Sequence, residues 1–255
     1  VLGIAGSEWV GLKHFKTFFN AYYFERLISN TLLLNVYSLL WRFPFPIILA
    51  ILLNRIRNDK RKRFVQTAIY VPYFVSTVVL AGMLYLFLSP SGIFNIAREV
   101  MGMDVVDFMS EASAFRTIYV ASGIWQTAGY SSILFVACLS GIDPTLYEAA
   151  EIDGASILHK IRYIDIPTLI PTVVMVFILD CGKMLTSYTD KALVLQTTGN
   201  VSVSDIIGVY VYNLGLGKAQ FSYTAAIGLF VNIINFIMII SVNKISKKLS
   251  GTGMF

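Results

Sequence analysis

Charge is what this chain is shortest of. Only 14% of its 255 residues are charged, against 56% hydrophobic, and its mean hydropathy is +0.69. A soluble domain carries about 25% charged residues, so a soluble enzyme or binding module is excluded as the default, and an all-α, polytopic helical membrane protein takes its place. Cysteine is nearly absent as well. Cys138 and Cys181 both lie inside apolar runs, where they are small buried side chains rather than a disulfide framework or a metal site. The only histidines, His14 and His159, fall on opposite sides of the membrane in the topology derived below, so no histidine metal pair is available. No phosphate-binding loop occurs: Gly182-Lys183 is followed by Met184, and Gly217-Lys218 by Ala219, where the motif needs serine or threonine. Nucleophile-elbow and zincin patterns are also missing, as is any period of 20–50 residues of the kind solenoids show.

The net charge of +5 and pI near 9.1 do not point to nucleic acid, because the basic residues flank apolar runs. Those runs predict five spans, at about 30–54, 65–88, 115–139, 168–188 and 221–242, each long enough for a hydrocarbon core of ~30 Å. The first contains Arg42, Pro44 and Pro46 and is expected to be kinked or broken near its middle. Pro72 falls in the first half of the second, and Ser89-Pro90-Ser91-Gly92 ends it. Residues 1–28 mix aromatic and charged side chains, Trp9, Phe15, Phe18, Phe19, Tyr22 and Tyr23 among them, which suits an external, interfacial segment. The expected organisation is that segment, a transmembrane domain over 29–243 and a cytoplasmic tail over 244–255.

Lysine and arginine bias sets the orientation. Residues 55–63 hold six basic side chains, 140–167 adds Lys160 and Arg162, and the tail adds Lys244, Lys247 and Lys248. These loops and the C-terminus are expected to be cytoplasmic, which leaves residue 1 external. The front has no signal-peptide pattern and Val1 to Gly6 is too short to span, so the chain reads as starting part-way through a longer protein, with a sixth helix upstream.

Residues 140–167 form a polar-to-mixed island between apolar runs. Asp143 and Pro144 are an N-cap and a first-turn proline. Leu146, Ala149, Ala150 and Asp153 share a helix face by their spacing. The two alanines permit close approach of another surface, and Gly154 permits a sharp exit. A helix of about two turns is marginal alone, since helices below roughly 12–15 residues rarely hold in water. The island needs a docking partner.

Glu148-Ala149-Ala150, three residues, Gly154, nine residues, then Ile164-Asp165-Ile166-Pro167 resembles the EAA signature of MetI-like permeases of ATP-binding-cassette importers. Ile166 stands where the family usually has leucine. Trp9 to Phe15, Phe43 to Ala50, Arg63 to Thr67 and Ser222 to Phe230 resemble the carbohydrate branch, close to its LplB-type permeases for complex oligosaccharides. The resemblance implies a bacterial cell-membrane permease paired with a second homologous permease. It also implies two ABC ATPase subunits that hold ATP and magnesium, and an external solute-binding protein. No catalytic residue and no cofactor belong to this chain in that reading. Carried onto these positions, the family's ATPase-docking loop is Glu148, Ala149, Ala150, Asp153, Gly154, Ala155, Ile164, Ile166 and Pro167. An ABC permease for amino acids, peptides or phosphate is the alternative, and an ion-coupled secondary transporter a further one.

Polar residues inside the spans are costly in lipid and mark a substrate path. Asn30, Asn35 and Tyr37 on the first span, Gln126 and Tyr130 on the third, and Asn232 and Asn235 on the fifth can bond sugar hydroxyls. Each can equally serve as inter-helix packing glue. Asp180 and Lys183, at i,i+3, either pair structurally or face the cavity. Arg42 either meets a carboxylate of another chain or snorkels.

Overall fold

The computed structural model describes residues 6, 8–186, 189–251 and 253. Val1 to Ala5 and Ser7 of the expected external segment, Ser187 and Tyr188 at the expected end of the fourth span, and Thr252, Met254 and Phe255 of the tail lie outside them. Every regular element among the described residues is helical, as the composition requires.

After the short α1 (Lys13–Phe19), α2 (Phe24–Arg42) leads through Phe43 into α3 (Pro44–Asn54). Phe43 keeps helical dihedrals and its N–H still reaches Leu39 O at 3.2 Å. Pro44 sits in the first turn of α3, where a missing N–H costs nothing. The expected break is therefore slight, and Phe24–Asn54 forms one apolar run of 31 residues.

The second expected span departs from expectation. Residues 65–88 are not one helix: α4 (Asp59–Tyr70) gives way to a 3-10 turn at Val71–Phe74 and an extended Val75 before α5 (Thr77–Leu88). Pro72 is the cause, since it has no N–H for the ladder and its ring collides with the carbonyl one turn back. Ser76 restarts the helix by accepting from Val79 N. After the turn at 89–92, α6 (Ile93–Val100) follows, and by length and composition the apolar candidate span here is Thr77–Val100.

The longest central helix is α7 (Ala112–Ser140), capped by Glu111. The island follows as α8 (Pro144–Ile152), bent 71° from α7, then α9 (Ile157–Lys160) and a π-helical turn, Ile161–Asp165. That turn runs straight into α10 (Ile166–Cys181), so the fourth span starts earlier than residue 168: Ile157–Cys181 is one apolar run. Three shorter helices, α11 (Thr189–Leu195), α12 (Val201–Ser204) and α13 (Ile207–Lys218), precede α14 (Phe221–Ser250). Among the described residues, four helices are long and apolar enough to span, or five if α7 with α8 counts as one.

α7 is the axis of the packing, touching α2, α3, α4, α10 and α12. One core joins α2, α7, α11 and α13 through Leu34, Phe115, Tyr119, Ala192 and Val209. Another joins α3, α7 and α10 through Ala50, Phe135, Leu139 and Leu169. Gly129 lets α7 and α4 meet backbone to backbone, because a Cβ there would lie 1.9 Å from Ile69 O. Large apolar side chains stay exposed along the outer faces, Leu40, Leu52 and Phe236 for example, which suits lipid rather than water.

Candidate functional site

The island is held by local chemistry at each end. Asp143 accepts from Thr145 N at 2.9 Å, with Pro144 in the first turn. At the other end Ala155 N reaches Ala150 O at 2.8 Å and Gly154 N reaches Glu151 O at 3.1 Å, the paired bonds of a Schellman closure. That closure needs a left-handed residue, and Gly154 has φ +73°. Ser156 then caps α9 by accepting from His159 N.

Tertiary contacts pin the same piece to the rest of the molecule. Asp165, fully buried in the π turn, pairs with Arg55 and accepts from Tyr147 Oη at 2.5 Å. Asn54 Nδ2 donates to that hydroxyl at 3.2 Å, and the Arg55 guanidinium lies 5.4 Å from the Tyr147 ring centre. Glu151 takes Lys160 Nζ at 2.6 Å and Arg57 at 3.4 Å. The Lys160 hydrogen bond and charge, with a smaller contribution from Arg57, hold the Glu151 carboxyl below its ordinary range. The expected topology loop 55–63 is thus a strut of the island.

The opposite side of the island is bare. Glu148, Ala149, Asp153 and Gly154 are exposed, with Ala150, Ala155 and Ile164 half-buried and Ile166 and Pro167 exposed where α10 begins. Ile152 is 87% exposed and Leu158 75%. A small, acid-tipped and apolar surface therefore stands on a base fixed by a buried ion pair.

A second feature is a cavity of about 550 Å³ between α2, α3, α7 and α10, lined by Asn35, Ser38, Arg42, Tyr130, Asp180 and Met184 among others. Of the residues singled out for a substrate path, Asn35, Tyr130 and Asp180 reach it. Tyr130 stacks flat on Tyr73, centroids 3.8 Å apart. The others are elsewhere. Asn30 donates to Ser202 O and Asp205 O, and Gln126 donates to Val75 O at 2.8 Å, bracing the broken stretch after Pro72. Tyr37 packs against the α2–α7 core. Asn235 accepts from Leu185 N, tying α14 to the end of α10, while Asn232 and Lys183 are exposed. Tyr147, Asp165 and Arg55 escaped sequence reasoning as a group. The available signal was a carboxylate between two isoleucines at the head of an apolar run, with a basic loop to answer it.

The sequence profile of a family described as binding-protein-dependent transport system inner membrane component matches residues 43–251. The polygalacturonan/rhamnogalacturonan transport system permease protein YteP of Bacillus subtilis (strain 168) is 38% identical over 255 residues, covering 100% of this chain and 79% of that protein. The LplB protein of the same organism is also 38% identical, covering 100% of this chain and 80% of its own. Two solved structures superpose closely. One is a bacterial ABC transporter involved in import of the acidic polysaccharide alginate (TM-score 0.91, 35% identity, 96% of this chain and 86% of that chain). The other is a bacterial alginate ABC transporter in complex with an alginate pentasaccharide-bound periplasmic protein (TM-score 0.92, 35% identity, 99% and 88%). With the profile running over most of its length, from residue 43 to residue 251, the chain belongs to the binding-protein-dependent transport system inner membrane components.

Proposed function

We propose that this chain is a permease subunit of an ATP-binding-cassette importer, passing an oligosaccharide delivered by an external binding protein. The observation that carries the coupling half is the island: a capped and strutted piece whose outer surface is bare and whose end continues without a break into α10. Force on its outer surface moves a spanning helix. The docking residues are Glu148, Ala149, Ala150, Asp153, Gly154 and Ala155, with Ile164, Ile166 and Pro167 at the junction. Coupling requires the partner ATPase to bind two permease conformations unequally, since equal affinity shifts nothing.

ATP and magnesium belong to two partner ATPases, and this chain is non-catalytic; its lack of a phosphate loop supports that reading. A second homologous permease completes the path. The island lies on the cytoplasmic side with 55–63, whose Arg55 and Arg57 pair with it, and the bacterial cell membrane is the location. Residues 1–28 are external and the tail cytoplasmic. Sugar as cargo is supported by the cavity, where Asn35 and Ser38 offer hydrogen bonds and the Tyr130 ring a flat apolar face, the mixture by which concave sites hold polar ligands. The names of the similar permeases support it too.

The test is uptake by the complete transporter in liposomes, with labelled oligosaccharide and its binding protein outside and ATP within. ATP-dependent accumulation is expected. Accumulation that survives removal of the ATPases and collapses with an ion gradient would overturn the assignment.

A further inference from the structure

Two spanning runs meet beneath the island. Phe24–Asn54 ends there, with Arg55 as the next residue, and Ile157–Cys181 starts there with α9 and the π turn. Tyr147 of α8 stands between them. Its hydroxyl donates to Asp165 of the π turn and accepts from Asn54, and the Arg55 guanidinium lies 5.4 Å from its ring centre. Asp165 completes the cluster by pairing with Arg55. Three pieces are thus joined at one point: the island, the end of α3 and the head of α10. Arg57 with Glu151 makes a second link, but that pair is solvent-exposed, and such pairs contribute little.

Holding the helices together does not require this cluster. α3 and α10 already pack against α7 through Ala50, Phe135, Leu139 and Leu169. A buried ion pair generally adds no more stability than apolar side chains of the same volume. What it adds is direction: apolar contact is non-directional, whereas charge-assisted hydrogen bonds fix both a distance and an angle. The backbone agrees with such a role. A π turn is rare and recurs at functional sites; its extra residue turns the side chains before it by about 100° relative to those after it. Asp165 is the last residue of this one, and it is fully buried. Both tied helices also run on to the cavity, which is lined by Pro46 near the start of α3 and by Val176 of α10.

We infer that Asp165, Arg55 and Tyr147 are positioning residues that make the island carry α3 along with α10, so that one movement of the docked ATPase shifts two walls of the cavity together. The inference rests on the coupling reading above and adds a second moving helix to it. Covalent continuity alone delivers the movement to α10; only the cluster delivers it to α3.

The test uses the complete transporter in liposomes, with Cys138 and Cys181 replaced by alanine and spin labels on exposed positions of three helices: Ile48 of α3, Met175 of α10 and Ala121 of α7. Labels are introduced two at a time, and distances are read by pulsed electron paramagnetic resonance without nucleotide and with a non-hydrolysable ATP analogue. With the cluster intact, the α3–α7 and α10–α7 distances should both change on nucleotide binding while the α3–α10 distance stays fixed. The double variant Arg55→Met with Asp165→Leu replaces the ion pair by apolar side chains and should keep the unfolding midpoint and ATPase co-purification. In it the α10–α7 distance should still change, the α3–α7 distance should not, and uptake per ATP hydrolysed should fall about tenfold. An α3–α7 distance that stays put with the cluster intact while α10–α7 changes overturns the inference, whether or not the double variant is stable. So does a stable double variant that behaves like the parent. Either result leaves coupling through α10 standing, whereas a protein in which neither distance to α7 responds to nucleotide removes the coupling reading as well.

Discussion

At the scale of single residues the island separates the side chains that hold it in place from those proposed to dock a partner. Asp165 is buried, and replacing it with alanine leaves Arg55 without its carboxylate in a partly buried place. A loss of about 3 kcal/mol or more is expected, read as a lower unfolding midpoint in detergent. Tyr147→Phe removes the hydrogen bond donated to the Asp165 carboxylate together with the one accepted from Asn54, and should cost about 1.5–3 kcal/mol. Gly154 behaves differently. Its φ of +73° penalises any side chain, by roughly 1 kcal/mol, but no atom lies within 4 Å of where a Cβ would be. Gly154→Asp should therefore leave the fold nearly as stable, yet abolish uptake and ATPase co-purification while the external protein still binds substrate. Normal uptake by that variant would sink the docking assignment. These differences were not legible beforehand. Glycine spacing is written in the chain, whereas the partner of Asp165 lies 110 residues away on Arg55.

Among elements, the informative case is the stretch 65–88, whose apolar run promised one helix and whose Pro72 divides it in two. Gln126 on α7 holds the exposed link by bonding Val75 O, and Gly129, one turn on, lets α4 press against α7. Gly129→Val should push these helices apart and cost about 1–3 kcal/mol, measured as a fall in thermal stability larger than that of Gly154→Ala. The island's charges predict its response to acid. The carboxyls of Asp143, lowered by the Thr145 backbone N–H, and of Glu151, lowered by Lys160, are both depressed. Their stabilisation is thus present above the ordinary carboxylate range and is lost as pH falls through the depressed values. ATPase retention on the permease should be flat through mildly acid pH and fail only below that range, as followed by co-purification across a pH series.

For the whole molecule, orientation is the claim most directly open to measurement. Cysteine introduced at Glu148 should react with a membrane-impermeant maleimide only in inside-out vesicles, and cysteine at Lys13 only in right-side-out ones. The pairings of Arg55 and Arg57 with the island already require that 55–63 and 140–167 lie at one end of the helices. Reaction of both cysteines from one side would refute the topology.

The sequence alone determined that the chain is helical and membrane-embedded, where most of the apolar runs lie, and that 140–167 holds a short capped helix. Those properties are local: hydropathy over about 20 residues, a proline in a first turn and a glycine at a helix end act within a few residues of themselves. Only the tertiary structure decided which polar side chains face a cavity. Asn30, Asn35, Gln126 and Asn235 look alike in the chain, but just Asn35 lines the cavity while the other three bond neighbouring segments. It alone also brought Lys191 against Tyr119, 72 residues away. A helix offers a polar residue one of several faces, and which face meets lipid, a neighbour or open space is set by the packing of helices distant in sequence.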